Sequence, residues 1–364
     1  AAMRSSESST LIASSATADC ERPRKKSSFA LRRFYTPALD LAFDRNNCTT
    51  LRAQEPVRVL ADWPGPLQLV RTRFTVGWIA DDAPLSPAVP DEEALFVGPW
   101  LRTSSGSSLL GVNVPSGALL PLTEDEVRVA TPAGLESMPA PAGTPTGRAL
   151  TRRAFLEEAF ALFGAPYGWG AEGVGLYCSR FLVDVFASFG LTLPRHSGLQ
   201  ARAGTYAVDV AELPPTEKLL VADAALRDGI VLMQMPGHIL AYLGEDEGGT
   251  PMAIHAFSEF PVVCEGSTGP DGAPLETIHR VDRVTLSDLG LGAGSARGSL
   301  LERVTTVTVF GRTAGDGLRG AAELRPAAPL PNVIALADAM PCDDRLDRAL
   351  FRSPRRPNAA QPLR

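Results

Sequence analysis

The sequence predicts an α+β domain in the middle of the chain, preceded by two small all-β barrels. Two observations carry this prediction. Residues 29–147 contain short β-prone runs that are broken by Pro and Gly, with no helical period between them. From residue 148 onward two helical patterns come first and strand-like runs follow, which is the order typical of α+β domains.

Length and composition limit the classes of protein that the chain can belong to. At 364 residues it is too long for one ordinary core and predicts several domains. The net charge of −6 gives no reason to expect a nucleic-acid partner. Since no run of 18 apolar residues occurs, we expect no membrane span. A monomer is favoured.

The two ends of the chain differ in composition from its middle. Residues 1–28 are rich in Ser and Thr, end in a basic run at 22–26, and predict a disordered tail. The apolar stretch at Leu11 and Ile12 is too short for a signal peptide, and the residues before Cys20 make a poor lipoprotein box. Residues 313–364, rich in Ala, Pro and Arg, predict a partly ordered tail.

The β-prone runs divide into two predicted barrels, at residues 29–90 and 91–147. Residues 137–147, SMPAPAGTPTG, have the composition of a linker at the end of the second barrel. The clearest strand-like runs lie at 57–63, 66–80, 93–101, 108–115 and 126–136.

Residues 148–312 form the predicted α+β domain. Thr151 is the expected N-cap of a first helix, and a second helix covers 179–190. A Gly-rich loop, 164–177, separates the two helices. Strand-like runs follow at 229–235, 238–244, 251–257 and 303–311.

Cys178 lies where the Gly-rich loop meets the second helix. The unpaired N–H groups and the dipole of a helix start favour an anion, so we expect the pKa of this thiol to be lowered. The neighbouring glycines would let a substrate backbone approach the sulfur. The alternative is a small, inert core residue. The five cysteines lie far apart and form no CxxC pair, so neither a disulfide framework nor a structural zinc site is expected.

Two of the four histidines are candidates for the base that a thiol nucleophile needs. His238 opens an apolar strand, and His255 lies within the next one, across a predicted hairpin. His238 would be the base, and His255 would orient its ring. Either could instead be structural, and a zinc site of Cys178, His238 and His255 lacks the usual short spacings. His196 and His279 lie in polar, loop-like surroundings.

Five motifs in this order resemble the NlpC/p60 family of cysteine peptidases, which hydrolyse peptidoglycan stem peptides. The resemblance covers about residues 148–312 and implies a papain-like α+β fold. The motifs are GAPYGWG (164–170), YCSRFLVDVF (177–186), GLTLPRHSGLQ (190–200), GHILAYLG (237–244) and AIHAF (253–257).

The resemblance also implies roles for individual residues. Cys178 is the nucleophile, His238 the general base and His255 the third member of the triad. Tyr167 matches a tyrosine near the oxyanion site, and Ser179 matches a serine that lines the substrate pocket. No metal or organic cofactor is implied.

The upstream region resembles the paired bacterial SH3-like domains that precede this catalytic domain in some members, most clearly at 65–79. In those members the substrates are short peptides with a free N-terminal L-Ala, cut between D-Glu and the diamino acid. Such substrates imply a periplasmic or secreted location. At Tyr177 this chain departs from the family, whose Asp at that position helps to hold the substrate amine.

Two other functions stay open on the sequence alone. The first is a catalytically impaired module that only binds cell-wall peptides, which the loss of the Asp at Tyr177 supports. The second is a thiol acyltransferase or an esterase that uses the same triad, since nucleophile and base do not specify the acceptor.

Overall fold

The computed structural model of the chain describes residues 4–11, 16–19, 43, 47–63, 67–88, 94–171 and 175–311. The basic run predicted at 22–26 and the tail predicted at 313–364 lie outside these residues. Within the described ranges, no helix is long and apolar enough to cross a membrane.

Six α-helices and nineteen strands make up the described structure. The helices are α1 (Ala94–Val97), α2 (Arg152–Ala161), α3 (Cys178–Ala187), α4 (Ser197–Gln200), α5 (Pro215–Leu226) and α6 (Leu300–Arg303). The strands are β1 (Arg4–Leu11), β2 (Ala16–Asp19), β3 (Asn47–Leu51), β4 (Pro56–Trp63), β5 (Leu67–Arg71), β6 (Val76–Ala80), β7 (Trp100–Thr103), β8 (Ser107–Leu109), β9 (Val112–Val114), β10 (Leu119–Thr123), β11 (Glu126–Thr131), β12 (Gly134–Pro139), β13 (Gly143–Pro145), β14 (Tyr206–Asp209), β15 (Ile230–Met235), β16 (His238–Glu245), β17 (Pro251–Thr268), β18 (Pro274–Asp288) and β19 (Thr306–Phe310).

The first sheet has six strands in the order β1-β4-β5-β6-β2-β3. Its strands β1 and β2 lie in the segment predicted to be disordered, so that prediction is wrong for these residues. The physical reason is that β1 pairs with β4, from Leu11 opposite Pro56 to Arg4 opposite Asp62. The backbone partner of β1 is about fifty residues away in the sequence. The polar composition of the segment itself therefore does not indicate the pairing.

The second sheet has five strands in the order β12-β11-β10-β7-β13, with a separate β8–β9 hairpin beside it. The predicted linker is partly strand, because β12 runs to Pro139 and β13 pairs with β7. The run at 93–101 is also only partly a strand, since Ala94–Val97 form α1 and only the last two residues of the run belong to β7. That these two sheets are SH3-like barrels stays a prediction.

The third sheet is antiparallel throughout and has the order β14-β19-β15-β16-β17-β18. In β16, Ile239 and Ala241 share a core with α3, whereas Leu240 and Tyr242 share one with α5. This alternation places helices on both faces of the sheet. The predicted α+β domain is therefore observed, with β14 and β18 as strands that the sequence did not indicate.

Helix α3 is almost entirely buried. The five apolar residues that the sequence predicted for one face are all buried, namely Phe181, Leu182, Val185, Phe186 and Phe189. They share a core with Phe155 of α2 and also with Val57 and Ile79 of the first sheet. The helix that begins at Cys178 is thus held between the third sheet and the upstream β region.

Candidate active site

Cys178 is the first residue of α3, and the loop before it sets its position. Leu176 N–H donates to Pro166 O at 2.8 Å, and Gly168 N–H donates to Leu176 O at 3.1 Å. A side chain at Gly175 would collide with the backbone, because its Cβ would lie 2.6 Å from Gly168 Cα. Gly175 therefore allows the loop to pack on itself. The sequence had instead predicted that these glycines let a substrate backbone approach the sulfur.

The thiol of Cys178 is buried, with 7% of the residue exposed. Burial raises its pKa, while backbone hydrogen bonds from Ile239 and Ser179 and the charge of Arg195 act in the opposite direction without offsetting it. The predicted lowering of this pKa is therefore wrong. The favourable N–H groups of the helix start are present, but desolvation of the thiolate outweighs them.

His238 and His255 lie side by side, as the hairpin predicted. His238 Nε2 is 2.6 Å from His255 Nδ1, and His255 Nε2 is 2.7 Å from Ser287 Oγ on β18. The ring of His255 also stacks on Phe257, with centroids 4.4 Å apart. Both nitrogens of the fully buried His255 therefore have partners. The sequence did not indicate Ser287, because β18 has no strong apolar pattern.

Both histidines are held in the neutral form. Burial lowers the pKa of His238 to about 3, with a smaller contribution from the charge of Arg303. Burial, and then the charge of His238, lowers the pKa of His255 well below its ordinary value. At neutral pH one ring of the pair must donate and the other accept.

The thiol and the residue next to His238 lie in one buried core. Cys178 shares this core with Ile239, which directly follows His238 at the start of β16. No direct hydrogen bond joins the Cys178 sulfur to the His238 ring, both of which the structure describes. The resting site thus contains a neutral thiol next to a neutral imidazole pair.

Tyr167 packs against the core that contains Cys178, and β18 holds it in place. Its N–H donates to Asp282 O at 2.8 Å. Burial, followed by the charge of Cys178, raises the pKa of the phenol, and a hydrogen bond with Ser258 partly opposes this. The hydroxyl stays protonated at neutral pH and can donate a hydrogen bond.

Tyr177 and Ser179, on either side of Cys178, are both buried, each only 3% exposed. The Tyr177 hydroxyl donates to Thr49 Oγ1 at 3.0 Å, and Arg195 lies over the ring, 4.9 Å from its centroid. The Ser179 carbonyl accepts from Gln200 Nε2 at 2.9 Å. Their roles in substrate binding stay predictions.

An ionic junction, which the sequence analysis missed, joins α3 to the first sheet. It consists of Arg52, Glu55, Arg180 and Asp184. Arg180 is paired with Glu55, its Nε lies 2.9 Å from Asp184 Oδ1, and Arg52 lies 2.7 Å from Asp184 Oδ2. The available signal was a pair of opposite charges four residues apart, Arg180 and Asp184, within an apolar helix.

The pKa values in the ionic junction move in the direction that keeps both partners charged. Burial alone would raise the pKa of Asp184, but Arg180 and Arg52 outweigh it and lower the pKa. Burial alone would lower the pKa of Arg180, but Asp184 and Glu55 outweigh it and raise the pKa.

The structure also places the other two histidines and one further cysteine. His196 caps α4 by accepting from Gly198 N–H at 3.2 Å, and His279 stacks on Phe260. Cys264 is in a disulfide, which the wide spacing of the cysteines did not predict. Among the described residues, no three His, Cys, Asp or Glu side chains are grouped to hold a metal ion.

Residues 164–264 match the NlpC/P60 family. The chain is 37% identical over 129 residues to a Corynebacterium glutamicum protein named "Probable endopeptidase", covering 34% of this chain and 56% of that protein. It is 34% identical over 83 residues to a Bacillus cereus protein named gamma-D-glutamyl-L-lysine dipeptidyl-peptidase, covering 22% of this chain and 23% of that protein. The chain thus spans about half the length of the first relative and a quarter of the second.

Two solved structures share the fold. An NlpC/P60 endopeptidase from Photobacterium damselae subsp. piscicida has a TM-score of 0.63 at 14% identity, over 83% of this chain and 72% of that one. An NlpC/P60 family protein from Bacillus cereus has a TM-score of 0.51 at 18% identity, over 83% of this chain and 99% of that one. The chain therefore contains an NlpC/P60 family domain, within residues 164–264.

Proposed function

We propose that this chain is a cysteine endopeptidase that hydrolyses peptidoglycan stem peptides in the cell envelope, as a periplasmic or secreted protein. The observation that carries the proposal is the placement of Cys178. It starts a buried helix and shares a buried core with Ile239, the residue next to His238, which in turn is paired with His255. Nucleophile, base and orienting group are the parts that acyl transfer requires.

In the proposed reaction the Cys178 sulfur attacks the carbonyl carbon of the scissile amide, and its proton passes to His238. The two groups come into hydrogen-bond contact when substrate binds, as catalytic pairs do. The Tyr167 hydroxyl and backbone N–H groups stabilise the oxyanion. His238 then protonates the leaving amine as the carbon–nitrogen bond breaks. Water attacks the thioester and gives a proton to His238, which returns it to the departing sulfur.

The proposed scissile bond is the γ-D-glutamyl bond to the diamino acid, in short muropeptides with a free N-terminal L-Ala. It is supported by the name of the Bacillus cereus relative and by the upstream β region. We further propose that 148–312 is the catalytic unit and that 29–90 and 91–147 are SH3-like. The first of these would extend to include β1 and β2, which belong to its sheet.

The test is incubation of the full chain with defined muropeptides, with products identified by mass spectrometry. Parallel substrates carry a free or an acetylated N-terminal amine. We expect cleavage by the parent protein and a loss of at least about 10⁴-fold in the Cys178→Ala variant, because a missing nucleophile removes the covalent route. Equal cleavage by both proteins, or none by the parent, would contradict the proposal. Indifference to acetylation would contradict only the free-amine specificity.

A module that binds cell-wall peptides without cutting them is the second candidate. Tyr177 favours it, because a buried phenol bonded to Thr49 takes the place of a carboxylate beside the nucleophile. Calorimetric titration of the same muropeptides separates the two candidates. Binding to the parent without any turnover would establish the second.

A further inference from the structure

Ser287 lies behind the histidine pair, at the far end of its hydrogen-bond chain. It occupies β18 opposite Ala253, and its Oγ is 2.7 Å from His255 Nε2. The other nitrogen of His255 is 2.6 Å from His238 Nε2. His255 is fully buried and Ser287 is only 3% exposed, so the residues of the chain rather than bulk water determine these protons.

Two neutral imidazoles and one hydroxyl can be joined in two directions. In the first, His238 Nε2–H donates to His255 Nδ1, and His255 Nε2–H donates to Ser287 Oγ. His238 Nδ1 then carries a lone pair. In the second, Ser287 O–H donates to His255 Nε2, His255 Nδ1–H donates to His238 Nε2, and His238 Nδ1 carries a proton. Only the first leaves His238 able to accept a proton from a thiol.

We propose that Ser287 is a positioning residue whose Oγ accepts the His255 Nε2–H and so stabilises the tautomers in which His238 Nδ1 is the free base. The catalytic consequence rests on the proposed function. When His238 takes the thiol proton, both of its nitrogens carry hydrogen, and Nε2–H still donates to His255. The chain therefore keeps its direction throughout the reaction, and no proton has to move along it.

The Ser287→Ala variant removes the acceptor. His255 Nε2–H would then be buried without a partner, and the ring would favour the Nδ1–H tautomer. That proton would be donated to His238 Nε2. His238 would then carry its own proton on Nδ1 and could not accept one from the thiol. We expect kcat/KM on the muropeptide to fall about 10- to 100-fold, as is usual for partners behind a reacting group, with the loss in kcat and not in KM.

Two variants control for stability and packing. Ser287→Thr keeps a hydroxyl at the same position and should restore kcat. Thr285→Val removes another hydroxyl of β18 that is equally buried, but its hydrogen bond goes to the backbone carbonyl of Leu286. It should leave kcat and both tautomers unchanged.

The direct readout is a long-range nitrogen-15 NMR correlation on the free, histidine-labelled full chain at neutral pH. We expect the Nε2–H tautomer for both His238 and His255 in the parent, and the Nδ1–H tautomer for His255 in Ser287→Ala. A parent His255 that is protonated on Nδ1, or Ser287→Ala tautomers identical to those of the parent, would overturn the inference. A kcat loss no larger than that of Thr285→Val would overturn it too.

This readout needs no substrate, so it separates the inference from the proposed function. If the parent shows the expected tautomers but cuts no stem peptide, the peptidase proposal fails and the selection by Ser287 stands. If the parent cuts muropeptides but has the opposite tautomers, the peptidase proposal stands and the role of Ser287 fails.

Discussion

Helix α3 carries two buried polar regions of opposite character within its first two turns. Cys178, at its start, belongs with His238 and His255 to the proposed catalytic group, in which every member is neutral at rest. Arg180 and Asp184, a few residues later, belong to the ionic junction, in which every member is paired with an opposite charge. Both regions are largely removed from water.

The difference shows what burial does to an ionisable group with and without a partner. Desolvation disfavours the charged form in both regions. In the ionic junction, opposite charges at hydrogen-bond distance outweigh it. Around Cys178, His238 and His255 desolvation prevails, because Arg195 favours the thiolate without offsetting burial and the charges acting on the two histidines are of like sign. One helix can thus hold permanent charges at its attachment to the first sheet and a neutral thiol at its start.

The largest effect is expected for alkylation of Cys178 by iodoacetamide, measured by mass spectrometry of its peptide. Burial raises the pKa of this thiol, so the thiolate fraction and the rate should rise about tenfold per pH unit from about pH 6 to about pH 9. In urea-denatured protein, the alkylation rate of the same cysteine should begin to level off near its ordinary pKa of about 8.5. A plateau in folded protein at acidic pH would mean a thiolate–imidazolium pair and would break the comparison.

The next largest effect is expected for Arg180→Leu. The change leaves Glu55 and Asp184 buried without their main counter-charge, so we expect the free energy of unfolding to fall by about 3–5 kcal/mol in urea titrations. The matched control is Arg280→Ala. It breaks the Arg280–Glu259 pair, whose Arg side chain is 49% exposed, and should cost no more than about 1 kcal/mol. Equal losses would show that the ionic junction is not effectively buried.

The two regions should affect the pH dependence of the free energy of unfolding in different pH ranges. The folded pKa values of His238 and His255 lie below the unfolded value, so the unfolded chain binds more protons. Their stabilising contribution is complete above about pH 6.5 and is lost as the pH falls below that value, by at most about 1.4 kcal/mol per pH unit and histidine. For His238 the loss continues down to its folded pKa of about 3.

The lowered pKa of Asp184 affects stability at lower pH than the two histidines do. Its contribution is present above the unfolded value of about 3.9 and is lost only below it. Urea unfolding at about pH 7.5 and about pH 5 therefore reports on the histidines. The double variant His238→Gln, His255→Gln should lose less stability between these pH values than the parent. An unchanged dependence would contradict the neutral histidine pair.

The smallest effect is expected for Tyr177→Phe, at the border between the two regions. It removes the hydrogen bond from the phenol to Thr49 and keeps the ring beneath Arg195. We expect a loss of about 1 kcal/mol in the free energy of unfolding. A double-mutant cycle with Thr49→Val would assign the loss to this bond. Additive losses in the cycle would show that the bond contributes nothing.

Much of the site could be read from the sequence because its signals are local. A cysteine after a Gly-rich loop and before an apolar helical pattern predicts a helix start, and α3 does begin at Cys178. His238 and His255, in two short apolar runs joined by a turn, predict neighbouring strands, and their rings are in hydrogen-bond contact. Thr151 likewise caps α2 as expected, accepting from Ala154 N–H at 3.1 Å.

The parts that sequence reasoning missed all depend on contacts between distant segments. Ser287 touches His255 across 32 residues, and Arg180 meets Glu55 across 125. Strand β1 was missed for the same reason, since its polar residues pair with β4. Composition and period describe a residue's neighbours along the chain and not those across a sheet or a helix face.

The sequence by itself predicted that helices precede strands in the α+β domain, the family resemblance, and the neighbouring strands that bring His238 and His255 together. Tertiary structure alone decided the protonation of Cys178 and of these histidines. The pKa of a thiol at a helix start is lowered or raised according to the balance between N–H donors and desolvation. Desolvation in turn depends on everything that packs around the thiol. For Cys178 that packing comes from both the third sheet and the upstream β region, so the neutral resting state is a property of the assembled fold.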